Sequence, residues 1–226
     1  MAAEGRRVRL RGLYAITPPE EDTRRLVARV ADCIDGGAAA IQYRAKSLDA
    51  SARLAQSRSL AQLCRSRGVP LIVNDSVELA LEAQADGVHL GREDGDPREA
   101  RARLGDRIIG ISCYDELGRA RDAARLDVDY IAIGSVFASG TKPRAVRAPL
   151  ALLAEARRLS GLPVVAIGGI TEHNAAQAIA AGADMLAVIS ALFDSEDIRA
   201  ASHAIARLFN ETGHGAEDVR AQPRAF

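Results

Sequence analysis

Short apolar runs alternate along the chain with longer amphipathic stretches that carry most of the charge. The short runs predict eight strands, over Leu13–Thr17, Ala39–Arg44, Leu71–Asn74, Gly87–Leu90, Ile108–Cys113, Tyr130–Val136, Pro163–Gly168 and Met185–Ser190. Between them the pattern predicts helices over Asp22–Asp35, Ser51–Arg67, Ser76–Ala85, Asp115–Arg125, Leu150–Leu159, Glu172–Ala181 and Glu196–Phe209. In Ser51–Arg67, Leu54, Leu60, Ala61 and Leu63 gather on one side, while Arg53, Arg58 and Arg65 spread over the others, as an amphipathic helix requires. The strands are apolar almost throughout rather than alternating. Runs such as PLIVN and PVVAIG therefore predict a sheet covered on both faces, which means parallel strands joined by helical crossovers.

Glycine-containing breaks recur where a helix should end and a strand begin: 36–38, 67–69, 85–87 and 181–183. Eight strand–helix units in 226 residues predict a single-domain α/β fold, a (β/α)8 TIM barrel over residues 1–211. An open doubly wound sheet is the competing architecture, weakened by the lack of a GxGxxG after the first strand. After Phe209 the periodicity fades, so 212–226 is expected to be a flexible C-terminal tail.

Charge and composition then remove function classes. Lys plus Arg and Asp plus Glu are each 30, so the net charge is zero. That balance argues against diffuse electrostatic binding to nucleic acid or to a membrane surface, though not against a local positive cluster. Aromatics are 4% and Trp is absent, so the core must be aliphatic and a base-stacking platform is unexpected. No run approaches the length of a membrane span, and the N-terminus has no signal-like apolar stretch. Three cysteines without metal-like spacing point to the cytoplasm.

In a barrel, chemistry gathers at the carboxyl ends of the strands. Strand 2 runs into Gln42-Tyr43-Arg44-Ala45-Lys46. Alternation would put Gln42, Arg44 and Lys46 on one side, where two cations call for an anionic ligand; the competing reading ends the strand at Tyr43 and solvates both. Asp75 and Asp94 follow strands 3 and 4. Paired carboxylates there suit Mg²⁺, which takes one or two of them plus water and phosphate oxygens; Asp75 as a helix cap is the alternative. After strand 6 comes Ser139-Gly140-Thr141-Lys142, a loop able to offer hydroxyls and a cation, but without Walker A spacing. Strands 7 and 8 end in Gly168-Gly169-Ile170 and Ile189-Ser190, the usual place of a backbone phosphate site in such barrels. His89, within strand 4, reads as a satisfied core histidine, and His173 as a helix-start residue. The mouth therefore reads as one phosphate site beside a Mg²⁺ and cation site for a more highly charged phosphate.

The motifs GLYAIT, QYRAK, VND, DGVHLGRED, GISCY, GSVFASGTK, AIGGI and VIS occur in this order, each at a strand end. With them, the chain from about Leu10 to Phe209 closely resembles the thiamine-phosphate synthase (thiamine-phosphate pyrophosphorylase) family. The resemblance implies a Mg²⁺-dependent barrel transferase. Its small-molecule substrates would be 4-amino-2-methyl-5-hydroxymethylpyrimidine diphosphate and a thiazole phosphate, its products thiamine monophosphate and diphosphate. It implies that Arg44, Lys46, Asn74 and Lys142 hold the diphosphate and that Asp75 and Asp94 bind the metal. Gln42 and Ser112 would contact the pyrimidine. Ser139 and Thr141, with backbone at Gly169, Ile189 and Ser190, would hold the thiazole phosphate. Arg44, Lys46, Ser112 and Lys142 form the expected catalytic set. A homo-oligomer is compatible with all of this.

Two departures stand out. Ser139 occupies a position where the family often has Thr, which keeps the hydroxyl. Ser112-Cys113-Tyr114 stands where the family often shows Ser-x-His. That His is the proposed acid/base of the related thiazole tautomerase, so its absence counts against the tautomerase, the nearest rival. A non-catalytic phosphate-binding barrel is the third reading, and the retained charges at the mouth count against it.

Overall fold

A computed structural model describes residues 10–138 and 146–211. Eight parallel strands close into a barrel in sequence order. The first half runs β1 (Gly12–Ile16), α1 (Thr23–Asp35), β2 (Ala38–Tyr43), α2 (Ala50–Arg67), β3 (Leu71–Asn74), α3 (Val77–Glu82), β4 (Gly87–Leu90) and α4 (Pro97–Leu104). The second half runs β5 (Ile108–Tyr114), α5 (Leu117–Ala123), β6 (Tyr130–Ile133), α6 (Ala151–Ser160), β7 (Val164–Ile167), α7 (Glu172–Ala180), β8 (Met185–Val188), α8 (Ser190–Phe193), α9 (Ile198–Ala206) and α10 (Leu208–Glu211).

All eight predicted strands form, and the doubly wound alternative falls away because β1 pairs with both β2 and β8. Two helices escaped the periodicity. In α4 only Ala100 and Leu104 are buried, so its apolar face is too thin to read. Its start is nonetheless well specified: Asp96 accepts from the Arg98 amide and Pro97 opens the first turn. The other, α8, is a single turn that begins at Ser190, so β8 stops two residues earlier than its apolar run predicts.

Alternation along the strands builds two cores. Outward residues such as Leu13, Ile41, Val73, Val88 and Ile131 pack beneath the helices. Inward residues, among them Tyr14, Ile16, Ala40, Ile72, Tyr130, Val165 and Met185, fill the barrel itself. Gly110 on β5 makes room for one of them. A Cβ there would lie 1.9 Å from Cζ of Tyr130, so only glycine lets that ring cross the barrel.

The amino-terminal end of the barrel is stitched by three aspartates. Asp86, Asp129 and Asp184 precede β4, β6 and β8, and their carboxylates accept from the Leu71, Ile109 and Val164 amides at 2.8, 2.8 and 2.9 Å. Arg101 and Arg157 pair with Asp129 and Asp184 at 2.7 and 2.6 Å. Hydrogen bonds at this face serve stability, leaving the opposite end to chemistry.

Candidate active site

The carboxyl end of the barrel gathers most of the predicted residues. β2 ends at Tyr43, so alternation does not carry on to Arg44 and Lys46 as one of the two readings expected. Gln42 points into the barrel and is buried, while Tyr43 points out and donates to Gln56 at 2.9 Å. Arg44 is half-buried and fixed by its amide, which donates to Thr17 Oγ1 at 2.9 Å. Lys46 reaches the site through the loop instead, its Nζ 3.2 Å from Asp75 Oδ2.

Asp75 is not a helix cap, because Ser76 caps α3 by accepting from Leu79. It sits directly after Asn74 at the top of β3 with φ of 67°, a left-handed conformation that Asp tolerates better than most residues. Its amide donates to the His89 carbonyl at 2.9 Å, which ties it to β4. Asp94 lies in the turn after β4, where Oδ2 accepts from the Gly91 amide at 2.7 Å. Burial and the adjoining Asp75 carboxylate push the Asp94 carboxyl above its usual range, against the Gly91 hydrogen bond and Lys46. Two carboxylates from neighbouring strands are thus held in contact, a pairing that a hard divalent cation would relieve. Among the described residues, no group of three or more His, Cys, Asp and Glu side chains is placed to hold a metal, so protein ligands would number two. That donor set fits Mg²⁺, which keeps water and phosphate oxygens in its shell.

Ser112 and Gln42 prove to be the two ends of a buried hydrogen-bonded chain. Gln42 Nε2 donates to Tyr14 Oη at 2.9 Å, and Tyr14 Oη lies 2.8 Å from Tyr130 Oη. Tyr130 Oη is 3.0 Å from His89 Nδ1, and His89 Nε2 is 2.9 Å from Ser112 Oγ. The His89 and Tyr130 rings stack with centroids 5.5 Å apart. Burial pushes His89 down to about 4, against the Asp75 charge, so the ring is neutral at neutral pH. The same burial raises Tyr14 and Tyr130, which keeps both phenols protonated. His89 is therefore the satisfied core histidine that the sequence predicts, but its partner is a predicted site residue. Tyr14 and Tyr130 were missed; an inward-facing Tyr in an otherwise aliphatic strand was the signal available.

Tyr114, the departure after β5, stands at the rim. Its Oη accepts from the Arg92 amide at 3.1 Å, in the same turn that carries Asp94. The Arg92 and Arg119 guanidiniums lie over its ring at 5.0 and 5.7 Å from the centroid. Tyr114 thus braces the Gly91–Asp94 turn.

On the far side, Gly168 and Gly169 follow β7 with φ of 105° and 62°. A Cβ at Gly169 would lie 2.1 Å from the Ala138 carbonyl oxygen, so glycine allows the loops after β6 and β7 to touch. Asn174 holds this turn, with Nδ2 donating to the Gly169 carbonyl at 2.9 Å and Oδ1 accepting from the Thr171 amide at 2.8 Å. Ile189 precedes the first turn of α8, and Ser190 opens it. Ser139, Thr141 and Lys142 lie outside the described residues.

A closed (β/α)8 barrel with a carboxylate pair, a lysine and a buried polar relay at its carboxyl end belongs to the large class of barrel proteins whose chemistry is built on the strand tops. Comparison narrows that class. The family described as thiamine monophosphate synthase matches residues 13–192, and the chain belongs to that enzyme family. A thiamine-phosphate synthase of Aromatoleum aromaticum is 56% identical over 203 residues, covering 89% of this chain and 98% of the relative. One from Thiobacillus denitrificans is 56% identical over 199 residues, covering 88% and 94%. The solved thiamine phosphate pyrophosphorylase from Pyrococcus furiosus superposes with a TM-score of 0.80 at 36% identity, covering 90% of this chain and 98% of that one.

Proposed function

We propose that this barrel joins 4-amino-2-methyl-5-hydroxymethylpyrimidine diphosphate to the thiazole phosphate, giving thiamine monophosphate and diphosphate. The observation that carries the reading is the Asp75–Asp94 contact with Lys46 beside it, a site for a metal-bound diphosphate, within a chain more than half identical to synthases.

The thiazole nitrogen carries a free lone pair, and its alkylation gives a thiazolium with no proton to lose. No general base is then needed, in keeping with a neutral, doubly hydrogen-bonded His89 and with Tyr114 in place of a histidine. The hard step is expulsion of diphosphate from a benzylic-type carbon. The electron-rich aminopyrimidine can stabilise the resulting cation, so the route is dissociative. Arg44, Lys46, Asn74 and Lys142 hold and neutralise the departing diphosphate. Gln42 and Ser112 orient the pyrimidine. Ser139, Thr141 and the backbone at Gly169, Ile189 and Ser190 hold the thiazole phosphate, which keeps its nitrogen close to the carbon. Mg²⁺, held by Asp75 and Asp94, would supply charge neutralisation to the leaving group. The three unpaired, buried cysteines suit a reducing cytoplasm, and no helix among the described residues is long and apolar enough to cross a membrane.

The test is direct. Purified protein with both substrates and Mg²⁺ should yield thiamine monophosphate and diphosphate in equal amounts, and EDTA should stop both. No product in the presence of Mg²⁺ overturns the proposal.

A further inference from the structure

We propose that the buried chain Gln42–Tyr14–Tyr130–His89–Ser112 is a polarity relay that presents an acceptor at Gln42 and a donor at Ser112, so that the site selects a 4-aminopyrimidine over its 4-oxo counterpart. The proposal rests on the pyrimidine-binding role of Gln42 and Ser112 given above. It assigns a positioning role to Tyr14, Tyr130 and His89, which touch no substrate in that scheme.

Proton counting gives the direction. Gln42 Nε2 can only donate, so Tyr14 Oη accepts from it. The single Tyr14 proton then goes to Tyr130, 2.8 Å away. Tyr130 already accepts, so its own proton goes to His89 Nδ1 at 3.0 Å. A neutral imidazole that accepts at Nδ1 carries its proton on Nε2, which donates to Ser112 Oγ at 2.9 Å. Ser112 is left with its own O–H to give to a ligand. At the other end, Gln42 has spent one N–H inward, which leaves Oε1 as its acceptor beside the second N–H. A protonated His89 would break the count, because it would force the Tyr130 proton back onto Tyr14 and strand the Tyr14 proton. The opposite polarity would require Gln42 to turn its oxygen to Tyr14, which reverses every bond in the chain.

The relay is built to stay in one register. Tyr14 and Tyr130 are each 1% exposed, so water does not compete for their hydroxyls. Gly110 is spared a side chain where the Tyr130 ring passes. The ligand chemistry matches the ends. A 4-aminopyrimidine offers an amino donor and ring-nitrogen acceptors. The 4-oxo compound offers a carbonyl in place of the amino group and a protonated ring nitrogen, so Gln42 Oε1 loses its donor and the Ser112 proton meets a donor instead of an acceptor. Buried groups left unpaired in that way give strong discrimination.

The experiment has a spectroscopic and a binding arm on the full chain. Two-bond ¹H–¹⁵N correlation of ¹⁵N-histidine protein should show His89 as a single neutral tautomer protonated on Nε2. A proton on Nδ1 overturns the relay. Calorimetry with the diphosphates of 4-amino-5-hydroxymethyl-2-methylpyrimidine and of its 4-oxo counterpart should show a preference for the amino compound of about a hundredfold. In Tyr14→Phe and Tyr130→Phe that preference should fall by about tenfold or more, with thiazole phosphate affinity unchanged. An unchanged preference in either folded variant overturns the relay. If Tyr130→Phe does not fold, Tyr14→Phe and the wild-type tautomer still decide. Equal binding of both pyrimidines to wild type sinks the relay alone, whereas binding of neither sinks the proposed function with it.

Discussion

Gly110→Ala should be among the most damaging single-methyl insertions in this protein. The added Cβ would stand 1.9 Å from Tyr130 Cζ and 2.4 Å from both Cε atoms. Those are ring atoms on a fully buried side chain, so neither partner can swing aside. Overpacking of this kind costs about 1–3 kcal/mol. If the ring tilts to escape, its hydroxyl also leaves Tyr14 and His89, and each lost bond costs about 1 kcal/mol. Together the expected loss is about 3–5 kcal/mol, a large part of the total for a typical domain. For a chain of this size that lowers the unfolding midpoint by about 6–20 °C, readable by circular dichroism or differential scanning calorimetry. Pairing Gly110→Ala with Tyr130→Leu should cost less than the two changes taken separately, because the smaller side chain vacates the contested space. A Gly110→Ala midpoint within about 2 °C of wild type would refute the account.

The other predictions span the rim, the floor and the thiols. Arg44→Ala or Lys142→Ala should lower turnover by on the order of 10²–10³, measured as diphosphate release, and near-wild-type turnover in both would remove their assigned role. Tyr114→Phe frees the Arg92 amide and loosens the turn that carries Asp94, so the Mg²⁺ concentration for half-maximal activity should rise several-fold at unchanged stability; an unaltered Mg²⁺ dependence counts against that brace. Asp184→Ala strips the Val164 amide of its acceptor and should cost about 1–3 kcal/mol in chemical denaturation, with kcat intact. Cys33, Cys64 and Cys113 are buried, and burial pushes each thiol from about 9 up to about 12. Because their folded-state values are raised, the unfolded chain sheds these protons first. Stability should hold below about pH 9 and fall as pH climbs toward 12. Thiol reagents should react only on unfolding, and rapid labelling of the native protein at pH 8 would contradict the burial.

The barrel was legible in the sequence because its strands are apolar on both faces and its helices are amphipathic, two patterns that no other common architecture combines eight times. What stayed hidden had weak local signal. α4 buries only Ala100 and Leu104, and α8 is one turn continuous in character with β8. The carboxylates Asp75 and Asp94 were legible as a pair, because Asp75 directly follows β3 and Asp94 lies in the turn after the neighbouring β4. The route of Lys46 was not. Strand alternation predicts side-chain direction only while the strand lasts, and β2 ends at Tyr43. Nor was the Gln42–Ser112 connection readable, since it joins β2, β1, β6, β4 and β5 across the lumen, and single-sequence patterns hold no information on which inward residues meet there.

The zero net charge conceals a division of labour among aspartates of identical chemistry. On the floor, Asp129 and Asp184 each accept from a strand amide and pair with an arginine, while Asp86 accepts from Leu71. Their charge is consumed by the fold. At the mouth, Asp94 faces another carboxylate, which adds to burial in pushing its carboxyl up, whereas at Asp184 burial alone does so, against the arginine and the strand amide. Lys46 can offset only part of that repulsion, with its side chain 63% exposed and therefore well screened. The Gly91 amide and Lys46 give Asp94 and Asp75 one structural partner each, but neither bond offsets the contact between the two acids, which a bound cation would relieve. Position along a strand marks an aspartate as belonging to the floor or the mouth, but only the count of donors and charges around it separates one that holds the barrel together from one that a cation would suit.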